Sequence, residues 1–141
     1  YMITRNFKLL KIDHIAIAVN DLNTSKPLFD LLGMHSSNIE LVDCEDVNVM
    51  KIFSDNKEHT IELLEPNSDA STIKKFLNKR GQGMHHIALE VDNINNAILY
   101  LKSNNINLIY EVPHVGADQK LITFIHPKDT PGILIELCQK P

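Results

Sequence analysis

Apolar positions along the chain alternate with polar ones in short runs, and two of these runs are nearly the same. "HIAIAV" (His14 to Val19) matches "HIALEV" (His86 to Val91) at four of six positions. Each run leads through a polar step into a helical pattern, "NDLNTSKPLFDLLG" and "DNINNAILYLKSNN". A second echo follows in the same order: "TIELLEP" (Thr60 to Pro66) against "LIELCQKP" (Leu134 to Pro141), with Glu62 matching Glu136. The histidines lie 72 residues apart and the glutamates 74. Two ordered echoes at nearly one offset indicate a duplicated unit.

The first copy predicts a strand over 12–19 and a helix over Asp21–Leu32 stopped by Gly33. Pro27 suits a first turn, which points to a helix start near Thr24 or Ser25. Strands follow at Ile39–Asp43, Val47–Phe53 and Thr60–Leu64. The second copy predicts a strand over 84–91, a helix over Asn93–Asn105, and strands near 107–111, 120–126 and 133–139. Between the copies, Ser71–Lys79 reads as a linking helix capped by Asp69 or Ser71, with Gly81 and Gly83 as its break. The fold class is therefore α+β, with two βαβββ repeats (about 12–66 and 84–140) and a linking helix at about 69–80, all in one domain over 1–141. Tyr1, which precedes Met2, is expected to be a cloning remnant and is left out of this reading.

Strand alternation sorts the side chains. Ile15, Ile17 and Val19 share one face, as do Ile87, Leu89 and Val91, and these should lie under helices. His14, Ala16 and Ala18 share the other, as do His86, Ala88 and Glu90, so small residues there leave room for a ligand. Glu62 sits with Thr60 and Leu64, and Glu136 with Leu134 and Cys138. Burying an unpaired carboxylate costs several kcal/mol, so a positive group should meet each. His85 falls on the apolar face and matches Asp13, which gives it no functional counterpart. A single histidine or strand glutamate is most often a satisfied or solvated side chain. Here two His/Glu pairs recur through the repeat, and if the halves pack about a pseudo-twofold axis their four donors converge. Imidazole and carboxylate together suit Co²⁺, Ni²⁺, Mn²⁺, Fe²⁺ or Zn²⁺. His35, His59 and His114 have no matched partner, and Cys138 reads as a small core residue.

Composition changes this picture little. The chain has 141 residues, 43% hydrophobic and 23% charged, with a formal net charge of −4. No basic field favours nucleic acid or an acidic membrane. No apolar run approaches the roughly 20 residues that span a bilayer, and no signal or transit peptide is recognised. The two cysteines, Cys44 and Cys138, have no metal or redox spacing, and the expected location is cytoplasmic.

The motifs "DHIAIAVNDL", "IELLEP", "STIKKFLNKRGQGMHHIALEVDNI", "GAD-QK" and "FIHPKDTPGILIELCQ" span about residues 12–140. In these the chain resembles the vicinal oxygen chelate (glyoxalase/bleomycin resistance/dioxygenase) superfamily, and within it the methylmalonyl-CoA epimerases. The resemblance implies a cupped mixed sheet around one divalent metal, often cobalt, held by His14, His86 and Glu136, with Glu62 a fourth ligand or near neighbour. It also implies interconversion of (2R)- and (2S)-methylmalonyl-CoA and a homodimer. Glu136 is then the first base. A third-strand glutamate used by some members falls on Val49 here, which leaves Glu62 and Glu45 as candidates for the second. Lys120 and Lys128 are the expected contacts for the substrate carboxylate and the CoA phosphates. A glyoxalase I-type lyase, a ring-cleaving dioxygenase and a metal-free binding module are alternatives on the same scaffold.

Overall fold

The computed structural model describes residues 4–141; Tyr1, with the reading given to it, lies outside the described residues. Contacts divide the chain into two compact units, His14–His85 and His86–Pro141 together with the stretch up to Asp13. The cuts fall where the two sequence repeats begin.

In the first unit, β1 (Leu9–Ala18, shared with the preceding stretch) leads to helix α1 (Leu22–Leu31). Strands β2 (His35–Ser36), β3 (Glu40–Val42), β4 (Val47–Phe53) and β5 (Thr60–Pro66) follow, then helix α2 (Thr72–Arg80). β1 pairs with β5 in parallel, β5 with β4 antiparallel, and β4 carries both β2 and β3 on its far edge. The outer face buries Val19, Met50, Ile52 and Leu63 against Leu22 of α1, with Ile17, Ile61, Phe29 and Met34 around them. Each such side chain contributes about 1.5–3 kcal/mol by leaving water. Ala16, Ala18, Val49 and Leu64 occupy the opposite face and are also buried, so the alternation read from sequence holds.

The second unit repeats the plan. Strand β6 (Gly83–Val91) leads to helix α3 (Ile94–Ser103), then β7 (His114–Val115), β8 (Leu121–Ile125) and β9 (Leu134–Gln139). β6 pairs with β9 in parallel, β9 with β8 antiparallel, and β8 with β7 antiparallel. Its outer face packs Val91 and Leu137 against Ile94, Ala97 and Ile98 of α3.

Two expectations need correction. Helix α1 starts at Leu22, not near Thr24 or Ser25: the Asp21 side chain accepts from Asn23 N, and the Thr24 and Ser25 hydroxyls donate to Asp21 O. These caps hold the first turn while Pro27 stands inside the helix. The strand expected at 107–111 does not form and leaves only a bridge between Leu108 and Ile125. Asn105 takes a left-handed φ of 63°, and beyond it the Thr123 hydroxyl accepts from Tyr110 N and donates to Tyr110 O. Ile109 N still donates to Phe124 O and His126 N to Asn107 O, but at Tyr110 a side chain replaces the backbone ladder, and the edge strand reappears later, as β7. Smaller shifts are a β3 cut to Glu40–Val42, with His35–Ser36 supplying the rest of that edge.

The repeat extends to one device unseen in the sequence. Glu65 Oε2 accepts from Leu22 N at the start of α1, and Gln139 Oε1 accepts from Ile94 N at the start of α3. Each last strand therefore caps the helix that follows the first. Glu65→Ala and Gln139→Ala are each expected to lower stability by about 1–2 kcal/mol, the usual worth of a helix cap, read as the midpoint shift in urea denaturation.

Candidate metal centre

His14 stands on β1 and Glu62 at the middle of β5, in a parallel register that places Ala16 beside Glu62. The alanine side chain is short, so imidazole and carboxylate meet over it, with His14 Nδ1 3.4 Å from Glu62 Oε2. The second unit builds the same arrangement, with Ala88 beside Glu136 and His86 Nε2 3.5 Å from Glu136 Oε1. All four side chains are buried. The His86 ring meets Phe124 edge-on at 5.5 Å, which fixes its plane.

The donor set fits a divalent transition metal. Both N···O distances exceed the 2.7–3.2 Å of an ordinary hydrogen bond. They lie close to the spacing of about 3.0–3.4 Å between two ligands that bind one ion at about 2.1 Å. Buried carboxylates also need compensating charge, which a divalent ion would supply.

Around the second pair, the structure gives the predicted Lys120 a partner, Asp13, to which the sequence reading assigned no role. Lys120 Nζ lies 2.7 Å from Asp13 Oδ2, and both side chains are nearly buried. Lys120 is held from behind by a tight loop, in which Gly116 N donates to Lys120 O and Asp118 and Gln119 take left-handed backbone angles. A Cβ on Gly116 would stand 2.8 Å from Ile122 Cγ2, so a larger residue there would force the Ile122 side chain or the loop to shift. Cys138 is fully buried, as expected of a core residue. Burial pushes its thiol well above the ordinary range, and the carboxylates of Asp13 and Glu136 push it further.

The other predicted residues separate clearly. His85 lies edge-on against Phe76 at 5.0 Å, and the Arg80 guanidinium stands over the Phe76 ring at 5.7 Å. Burial, helped by Arg80, lowers its pKa to about 4, so the ring is a neutral packing group. Lys128 is exposed on the turn Pro127–Asp129, where its backbone N donates to His126 Nδ1. Asp129 on the same turn accepts from the backbone and side-chain nitrogens of Asn107, which holds its carboxyl below the usual range. Glu45 lies on the short turn Asp43–Glu45, outside the sheet. His35 pairs with Asp55 on the surface, and His114 stacks on Tyr110. Cys44 is exposed, and neither cysteine is in a disulfide.

Comparison with known proteins bears on what such a centre serves. Residues 13–124 match the Glyoxalase/Bleomycin resistance protein/Dioxygenase superfamily. The mitochondrial methylmalonyl-CoA epimerase of Homo sapiens is 39% identical over 135 residues, covering 94% of this chain and 76% of that protein. The crystal structure of methylmalonyl-CoA epimerase from Mycobacterium tuberculosis superimposes with a TM-score of 0.90 at 34% identity, covering 94% of this chain and 89% of that one. A substituted methylmalonyl-CoA epimerase from Streptomyces coelicolor, solved in complex with 2-nitronate-propionyl-CoA, gives a TM-score of 0.87 at 29% identity, covering 94% and 99%. The chain belongs to the glyoxalase/bleomycin resistance/dioxygenase superfamily and, within it, to the methylmalonyl-CoA epimerases.

Proposed function

We propose that this protein interconverts (2R)- and (2S)-methylmalonyl-CoA by removing and returning the proton at C2. The observation that carries the reading is the twice-built pair of buried histidine and glutamate, in a chain closely similar to epimerases over nearly its whole length.

His14, His86 and Glu136, with Glu62 as the fourth, are the side chains that would hold one divalent ion, for which Co²⁺ is the first choice and Mn²⁺, Ni²⁺ and Zn²⁺ the alternatives. When bound, such an ion supplies a Lewis acid for the thioester and carboxylate oxygens of the substrate. The chain's own residues do the rest. Glu136 takes the C2 proton, which is acidic because a thioester carbonyl and a carboxylate flank it. Inversion requires a proton delivered to the opposite face of C2, and Glu62 is the carboxylate the repeat offers for that role. Ala16, Ala18 and Ala88 keep the inner faces free of bulky side chains. Lys120, oriented by Asp13, supports recognition of the substrate carboxylate, and the exposed Lys128 suits a CoA phosphate.

A homodimer and a cytoplasmic location complete the proposal. Cys44 and Cys138, neither in a disulfide, agree with a reducing compartment. Among the described residues, no helix is long and apolar enough to cross a membrane.

The test follows deuterium from solvent into C2 of methylmalonyl-CoA. The protein loaded with Co²⁺ should incorporate the label and interconvert the epimers. Chelation should stop both, and added Co²⁺ should restore them. Absence of exchange under every metal condition would exclude the epimerase reading.

A further inference from the structure

We infer that the basic face of helix α2 receives the phosphate groups of the CoA moiety, an assignment that rests on the epimerase reading and deepens it. The chain is acidic as a whole, with a formal net charge of −4. Between Asp69 and Glu90, however, every residue with a formal charge is a cation: Lys74, Lys75, Lys79 and Arg80, all on α2. Lys75, Lys79 and Arg80 are exposed, and Lys74 is half-buried. Elsewhere Lys26, Lys102, Lys120 and Lys140 each meet a carboxylate. Among the described residues, none of the cations of α2 does.

Helix stability does not account for this charge. Lys79 and Arg80 lie in the last turn, where cations suit the helix dipole. Lys74 and Lys75 lie in the first turn, where the dipole disfavours them, and no acidic residue offsets them there. Lys75 and Lys79 stand at an i, i+4 spacing, a like-charge pair that by itself weakens a helix. A helix face that only meets water mixes the two signs, as α1 does with Lys26 paired to Asp30. A polyanion on α2 would relieve both costs. Lys128 shares its turn with Asp129, which cancels part of its field; α2 carries no such acid.

The helix is anchored in the same unit as Glu62. Ile73 and Leu77 are buried, and α2 packs on β5, the strand that carries Glu62. At the start of α2, the Ser71 hydroxyl accepts from Ile73 N and donates to Glu45 O at 3.5 Å, which ties the helix to the turn Asp43–Glu45. At its end, the Arg80 guanidinium lies over the Phe76 ring, a contact that steadies it without a carboxylate. The pantetheine arm of CoA carries the phosphates away from the thioester, so they need a landing surface beyond the reacting carbon. Lysine meets phosphate as a compact point charge, and the arginine fork takes two phosphate oxygens at once.

The test compares Co²⁺-loaded wild type with the double variant Lys75→Gln/Lys79→Gln on two substrates. One is methylmalonyl-CoA; the other is methylmalonyl-pantetheine, the same thioester without the phosphates. On the CoA ester the variant should show a KM raised by about 10-fold with kcat kept, because surface contacts to phosphate hold the substrate and do not reach the reacting carbon. On the pantetheine ester the two proteins should differ in neither constant. Added salt should weaken the hold of wild type on the CoA ester and narrow its lead over the variant. An unchanged KM on the CoA ester would overturn the assignment. Equal loss on both esters would overturn it too, since that marks a fault in the packing of α2 on β5. Calorimetric titration with CoA alone needs no turnover. Wild type should bind CoA about 10-fold more tightly than the variant, and equal affinity would again overturn the assignment. If wild type binds CoA in this way and interconverts neither ester, the epimerase reading fails and the phosphate site stands.

Discussion

His86→Ala should purify without its divalent ion and lose at least about 100-fold in epimerisation, while the neighbouring His85→Ala keeps both. The loss is set against the 10–100-fold that follows removal of a mere outer partner of a metal ligand; removing a ligand itself should exceed it. The two histidines are adjacent, so any general disturbance of β6 would affect both variants alike. Their surroundings differ in kind. His86 faces Glu136 at 3.5 Å and is buried. His85 packs against Phe76 from the opposite side of the strand, and its low pKa makes it a poor partner for acids. Metal content per chain and initial rates on the same preparations decide the matter. Equal loss of metal in the two variants would overturn the assignment of faces.

Glu136→Gln should be the more damaging single change in the rate, by about 10⁴-fold or more, because it removes a ligand charge and the first base together. Glutamine is nearly isosteric and keeps one oxygen, so the fold should survive, with a thermal midpoint close to that of wild type. Glu62→Gln should cost less, since Glu136, both a ligand and the first base, remains. Metal affinity and epimerisation rate, measured side by side, separate the two effects. If Glu136→Gln recovered the wild-type rate at saturating metal, Glu136 would have no role beyond binding.

How much of this was legible in the chain depended on the range of the interaction. The histidines and glutamates announced themselves because each repeats within an apolar run, and strand alternation alone turned His86 inward and His85 outward. The cap at Asp21 was equally local, but Pro27 concealed it, since the proline's preference for a first turn pointed to a later start. The strand expected near 107–111 failed for a different reason. Its residues have strand character, yet the hydroxyl of Thr123, thirteen residues on, takes over both hydrogen bonds of Tyr110. Lys120 and Asp13 are 107 positions apart in the chain, and no periodicity reports such a pair.

The helix caps at Glu65 and Gln139 carry a consequence for how the sheet resists misalignment. Each lies three residues beyond a glutamate of the centre on the same strand, and so on the opposite face. A slip of β9 by one residue would turn Glu136 toward the helix and at the same moment withdraw Gln139 from Ile94 N, stranding a buried donor. The two penalties fall together, so neither half of the slip is available alone. A bound ion would add its own affinity to the aligned register. The amide protons of Leu22 and Ile94, far from any metal ligand along the chain, should then exchange more slowly with solvent when the ion is present.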